Sequence, residues 1–391
     1  MKKTVKSLIL LSSLLLTSCQ TTTESLQDAV ISNHSSNAPV TSSSDYANFA
    51  VKTLSLLEND LSQDSNCVNS PLSYSMCLAG LAFASENADS LLETLGYEDI
   101  SDLKELIELT NWNNSSKSDT YHTIISSIVF HQLIDSYGNY SFDEECRQTL
   151  ADNYVSTARS PLSTYYEEAC DIIEEACEKE LSVPMCDDIG EGAALVYSAL
   201  SLSDNFQKHI TTATGTFYGE TTQENIEGMS FDGEGGRYYE TVAYQAFNLN
   251  INYSDLLIFL PKDGYSTSDI NLSEAYEEFN ENATYQYIEG FVPYFSVSSE
   301  WDYTKQALSA IGDTDAFVKL LPGNSSSLAQ CKQNADFELS QYGVEGSAVT
   351  VAESWETAVF TTAQFTVDRP FKAVSTYEGL PLFTMNVTSV N

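Results

Sequence analysis

Between Pro322 and Pro370 the chain contains no proline, and residues 344–354 inside that window sort cleanly by parity. The even positions are Val344, Gly346, Ala348, Thr350, Ala352 and Ser354, small and uncharged. The odd positions from Glu345 through Ser347, Val349, Val351 and Glu353 to Trp355 hold both charges and the one large ring. An extended chain points successive side chains to opposite faces. Such a segment fits a sheet with its small face toward a tight core and its charged face toward water. No proline bars it from a central position. Gly346, Ser347 and Ala348 are nonetheless poor strand formers, so the same residues also suit a chain outside any sheet. An ordinary small-residue strand followed by a polar loop has the same pattern, and the rest of the chain must separate the two.

With 391 residues the chain has length for one large domain or for two to three ordinary ones. Apolar residues make up 42%, with 23 Tyr and 18 Phe, which allows a large packed core and argues against global disorder. Lys and Arg number 17 against 56 Asp and Glu, a net charge of −39. So acidic a surface argues against nucleic acid as a partner, because phosphate binding needs a basic field. It favours encounter with basic proteins over acidic ones, although solubility alone is sufficient reason for it.

Lys2, Lys3 and Lys6 precede the apolar run Leu8–Leu16, which ends in Leu16-Thr17-Ser18-Cys19. Charge, a short apolar run and small residues make a secretory signal over residues 1–18, and the run is too short for a stable membrane span. The ending resembles a bacterial lipoprotein box, in which the cysteine is acylated and becomes the mature N-terminus. That implies a lipid on Cys19 and an outward-facing place in a bacterial cell envelope; a plain signal peptide with an incidental cysteine is the alternative. Residues 19–44 are rich in Thr, Ser, Asn and Gln, the composition of a flexible tether, whose typical reach is about 27 Å. Seven cysteines remain: Cys67, Cys77, Cys146, Cys170, Cys177, Cys186 and Cys331. An odd number excludes a fully paired framework and leaves any single pair open. The histidines His34, His122, His131 and His209 stand apart from one another and from paired cysteines, so no zinc pattern is present, and nothing calls for a metal or cofactor.

Along the body, apolar spacing predicts helices over residues 45–61, 88–111, 142–156 and 165–181. A buried helix follows Asn69-Ser70-Pro71-Leu72-Ser73, with Ser70 as cap and Pro71 in the first turn. Thr123–Phe130 and Ala193–Leu202 read as strands, Tyr244–Ile251 and Asp255–Pro261 as a hairpin, and Leu380–Val387 as a closing strand. Asp232–Gly236 reads as a glycine-rich turn, without the ending a phosphate loop needs.

These landmarks, in order, resemble the serpin family: the Asn-Ser-Pro-Leu-Ser helix start, the hairpin ending at Pro261, Val292–Val297, Leu308–Phe317, the hinge from Gly343, the turn Asp368-Arg369-Pro370-Phe371 and the closing strand. The departures are Ser198-Ala199-Leu200-Ser201-Leu202, where the family has an Asn-Ala-x-Tyr-Phe pattern, and Thr384-Met385-Asn386 in the closing strand. The resemblance covers residues 45–391 as one domain and implies an α+β serpin-like fold. Three β-sheets, about eight to nine helices and an exposed reactive-centre loop over about 343–362 are expected.

No H-E-x-x-H, G-x-S-x-G or P-loop motif occurs, so the chain is not read as an enzyme. The resemblance implies a monomeric suicide-substrate inhibitor of serine proteases. A protease cuts the loop, and the freed hinge, Gly343, Val344, Glu345, Gly346, Ser347, Ala348, Val349 and Thr350, inserts into the main sheet. Small even-numbered residues suit burial between strands; Val344, bulkier than the family's Thr or Ser, is expected to slow the first step. Counting from Gly343 as the family does puts the cut at Thr357–Ala358, within a window of Trp355, Glu356, Val359 and Phe360. No Lys or Arg lies between Lys332 and Arg369, so elastase-like enzymes suit the loop best. Phe360 suits a chymotrypsin-like enzyme and Glu356 a glutamate-specific one, and the family's targets include cysteine proteases. The other class of reading is a non-inhibitory, serpin-like surface binding protein, for which a charged or bulky hinge would be the mark.

Overall fold

The computed structural model describes residues 44–61, 65–85, 88–101, 103, 122–134, 144–153, 155–177, 194–206, 210–311, 318–321, 324–326, 331–344, 362–377 and 379–390. Among them are α1 (Ser44–Leu57), α2 (Pro71–Ala84), α3 (Asp89–Leu95), α4 (Glu144–Asp152), α5 (Tyr165–Cys177), α6 (Leu272–Asn282) and α7 (Thr304–Ile311).

The larger sheet is built from β1 (Cys67–Asn69), β5 (Thr211–Tyr218), β6 (Thr222–Glu240), β7 (Tyr244–Asn250), β8 (Ser254–Pro261), β9 (Thr284–Pro293), β15 (Thr362–Thr366), β16 (Phe371–Tyr377) and β17 (Leu380–Val387). Its order is β1-β17-β16-β8-β7-β6-β9-β15, with β5 on the first half of β6. Pairing is antiparallel except at the edge, where β15 runs parallel to β9. β16 and β17 are buried along their whole length, as a central strand rich in Val, Phe and Met should be when both its faces are covered. One face of β7 and β8, with Tyr244, Ala246, Leu257 and Phe259, packs against Ala50 and Leu54 of α1 and Ala275 and Phe279 of α6. The main core gathers on the other face around α2.

The second sheet holds β2 (His122–Ile134), β3 (Val155–Pro161), β4 (Ala194–Asn205) and β14 (Gly343–Val344), in the order β14-β4-β2-β3. Beside it β10 (Phe295–Asp302) and β13 (Lys332–Leu339) form an antiparallel pair, and β11 (Val318–Leu321) and β12 (Asn324–Ser326) another. α2 is buried on nearly every side and packs against both β4 and β17, so it links the two main sheets. Ser70 caps it by accepting the Ser73 N–H at 3.1 Å, with Pro71 next.

The expected turn at Asp232–Gly236 is a bulge. β6 runs unbroken from Thr222 to Glu240, and its register against β9 slips by one residue between Asp232 and Glu234. Gly233 sits there at φ +86°, which only glycine adopts cheaply, so the strand bends without ending. The helix expected over 142–156 stops at Asp152, because Val155 already begins β3.

Candidate functional site

The site is built on β13, whose alternation is strict. Gln333, Ala335, Phe337 and Leu339 are buried, while Asp336 and Glu338 are exposed. At its end the chain turns back through Gln341 and Tyr342. Ser340 N–H donates to Gly343 O at 2.9 Å, and Gly343 N–H returns a bond to Ser340 O at 3.2 Å. Gly343 lies at φ +132°, and a Cβ there would sit 2.7 Å from Asn205 Cα and closer still to the Asp204 carbonyl. Only glycine satisfies both demands.

After this turn Gly343 and Val344 run antiparallel to β4, pairing with Asn205 and Asp204, and Phe206 N–H donates to Tyr342 O at 3.0 Å. β14 is therefore antiparallel to both β13 and β4, with one on each side. Val344 is 2% exposed and belongs to the main core. Val344, the residue whose bulk is expected to slow the first step, is thus paired with Asp204 and buried. Asp204 fixes the seat: it is fully buried, and its Oδ2 accepts from Tyr253 N–H at 2.9 Å, Ser254 N–H at 2.7 Å and the Ser254 hydroxyl at 2.7 Å. Three donors satisfy that oxygen's buried charge and tie the end of β4 to the β7–β8 turn.

Below β14, no ladder joins β13 to β4 among the described residues. Between the two strands, among the described residues, lie Gly343 and Val344, and the space below them is here called the slot. Its two sides are held from below by the first turn of α2. On the β13 side, the Gln333 side chain accepts from Ser70 N–H at 2.8 Å and donates to Ser70 O at 2.9 Å. On the β4 side, the Ser73 hydroxyl donates to Ser198 O at 3.1 Å. The Ser70 hydroxyl donates to Leu382 O of β17 at 2.7 Å, which anchors the whole cluster to the large sheet. Burial pushes the nearby Cys77 thiol well up, so it stays protonated and inert.

The far end of the segment is anchored too. β15 starts at Thr362 and runs along β9 as the last strand of the large sheet. In the Asp368–Phe371 turn, Asp368 O accepts from Tyr218 N–H at 2.6 Å, and Arg369 pairs with Asp368 at 2.8 Å and with Asp263. Of the hinge, Gly343 and Val344 are thus placed. Glu345, Gly346, Ser347, Ala348, Val349 and Thr350, the window Trp355–Phe360 with Thr357 and Ala358, and Cys19 lie outside the described residues. Cys77 and Cys170 are free thiols. Among the described residues no group of His, Cys, Asp and Glu is arranged to hold a metal ion, and no helix is long and apolar enough to cross a membrane. Sequence reasoning passed over Asp204 and Gln333. Gln333 had a readable signal, a lone amide on an otherwise apolar alternation; Asp204 at the end of a strand had none.

The model of one family, described as Serpin (serine protease inhibitor), matches residues 44–389. No curated protein sequence matches the chain. Among solved structures it is similar to the thermophilic serpin tengpin in its native state, with a TM-score of 0.73 at 16% identity over 92% of this chain and 98% of that one. It is also similar to Serpin48 of the insect Tenebrio molitor, with a TM-score of 0.71 at 17% identity over 89% and 98%. Human thyroxine-binding globulin in complex with thyroxine gives a TM-score of 0.72 at 17% identity over 88% and 99%. At these identities the likeness is one of fold.

Proposed function

Because this chain belongs to the serpin family, we propose that it is a suicide-substrate inhibitor of serine proteases, elastase-like enzymes first. The observation that carries this reading is the register of β14. Gly343 faces Ser340 on one side and Asn205 on the other. Continued down the slot, that register brings Gly346 between Leu202 and Phe337, Ala348 between Leu200 and Ala335, and Thr350 between Ser198 and Gln333. The large neighbours Leu202 and Phe337 are both buried, and they meet the one residue without a side chain. Gln333 and Ser198, which hold the first turn of α2, meet a hydroxyl. The small face of the segment therefore matches its slot position by position, as a strand meant to fill it must.

In the proposed cycle the protease serine attacks the Thr357 carbonyl, the Ala358 amine leaves, and the freed chain fills the slot while still esterified to the enzyme. New ladder hydrogen bonds and newly buried apolar surface drive insertion, which must outrun hydrolysis of the ester. A bulky or charged inward face would favour a binding role without trapping, and the even-numbered residues are neither. We further propose that Cys19 carries lipid and that the body stands off a bacterial membrane on the 19–44 tether.

The deciding experiment mixes the full chain with elastase-, chymotrypsin- and trypsin-like proteases and a glutamate-specific one, then maps the products by mass. A denaturant-resistant complex with the elastase-like enzyme, cut at Thr357–Ala358, is expected. Hydrolysis without any complex, or cleavage only outside Trp355–Phe360, would overturn the proposal.

A further inference from the structure

A pocket of about 760 Å³ opens beside the hinge turn, between the ends of β10, β13 and β4 and the middle of β6. Its lining includes Glu227, Glu338, Tyr294, Tyr342 and Ser296, and no Lys or Arg is among the described residues that line it. The walls are fixed rather than loose. Tyr294 N–H donates to Glu227 O at 3.0 Å, and Ser296 faces Glu338 in the β10–β13 ladder. Tyr342, half exposed, stands in the turn that carries Gly343. A concave site of this volume suits a small molecule. Carboxylates beside aromatic rings, in a chain of net charge −39, select a cation that can also lie against a ring.

We propose that this pocket binds a small organic cation, an ammonium or guanidinium group held between Glu227 and Glu338 against the Tyr342 ring, and that binding favours insertion of the hinge. The binding stands on the pocket alone; the coupling rests on the trapping reading above. Continued by two residues from the Ser340–Gly343 bridge, the register of an inserted strand would set Glu345 directly across from Glu338. Like charges directly opposite on adjacent strands repel, and a cation on Glu338 removes that repulsion.

Agmatine, a guanidinium and an ammonium on a short alkyl chain, is the probe, titrated calorimetrically into the full chain with ionic strength held constant. Saturable binding at one site is expected, weakened about tenfold or more by Glu227→Gln with Glu338→Gln. It should be unchanged by Glu277→Gln with Glu281→Gln, two exposed carboxylates on α6. Non-saturable binding, or equal loss in both double variants, would mean that only the general acidic field attracts the probe and would overturn the site.

The second readout is the ratio of cleaved to trapped inhibitor with the target protease. Agmatine should lower it in the wild type by about two- to fivefold, the worth of one cross-strand charge pair. Glu338→Gln should lower it without agmatine and abolish the response. Binding with no change in that ratio would overturn the coupling. Absence of any trapped complex would overturn the trapping reading and the coupling with it, and leave the binding result standing.

Discussion

Ala348→Arg tests insertion at the position where register and packing are most specific. Continued from Gly343 and Val344, the register seats residue 348 between Leu200 and Ala335, on the face where Ala335 is 4% exposed. An unpaired charge buried there costs about 3–5 kcal/mol, and the added side chain overpacks a site sized for a methyl group. Half of that charge cost felt at the insertion barrier, about 2 kcal/mol, slows insertion about thirtyfold. The attack on Thr357 is untouched, so hydrolysis wins. The variant should be cut at the same bond at the wild-type rate, melt at the wild-type temperature and release active protease. Ser347→Arg is the control. In the inserted strand its side chain would point outward, across from Asp336, where an opposite charge is worth about 0.2–1 kcal/mol in favour of insertion. It should trap as well as the wild type. The assay is a denaturing gel for covalent complex, with residual protease activity measured on the same samples. Equal trapping by both variants, or equal loss in both, would refute the parity argument and insertion through this segment.

Gly343→Ala should expel β14, since a Cβ at φ +132° meets the β4 backbone at a cost of about 1–3 kcal/mol; hydrogen exchange of the Phe206 amide, now bonded to Tyr342 O, should speed up, and unchanged protection would contradict the seat described. His131 is fully buried, 2.5 Å from the Ser160 hydroxyl, and burial pushes its pKa down to about 4. Between pH 6.5 and 4 the unfolded chain takes up a proton that the folded chain refuses. Stability should therefore fall as pH drops through that window, by about 1.4 kcal/mol per unit and on the order of 3 kcal/mol in all. His131→Gln should flatten that part of a urea-unfolding profile, and an identical slope in both proteins would exclude His131 as its cause. Cys19→Ala should move the protein from the detergent phase to the aqueous phase, because acyl chains on that residue are the proposed anchor; unchanged partitioning would remove the lipid assignment.

Much of this architecture was legible in one dimension because its causes are local. The Ser70 cap with Pro71 marks the start of α2 whatever lies around it, and the apolar runs at Tyr244–Asn250 and Ser254–Pro261 announce β7 and β8. The alternation of 344–354 marks one face of the segment as small, and Val344, the one residue of that face among the described residues, lies buried. Glycine was less readable. At Asp232–Gly236 it signals a turn and a bulge equally well, and only pairing with β9 on one side carried β6 through. What the tertiary structure alone decided is where distant segments meet. The Asp204 carboxylate gains its meaning from Ser254, the Gln333 amide from Ser70, and the slot from β13 and β4 lying apart with Val344 between their ends. Those partners are tens to hundreds of residues apart in sequence. Their register is fixed by how α2 and the two sheets pack, and packing between distant segments leaves no periodic trace in either one.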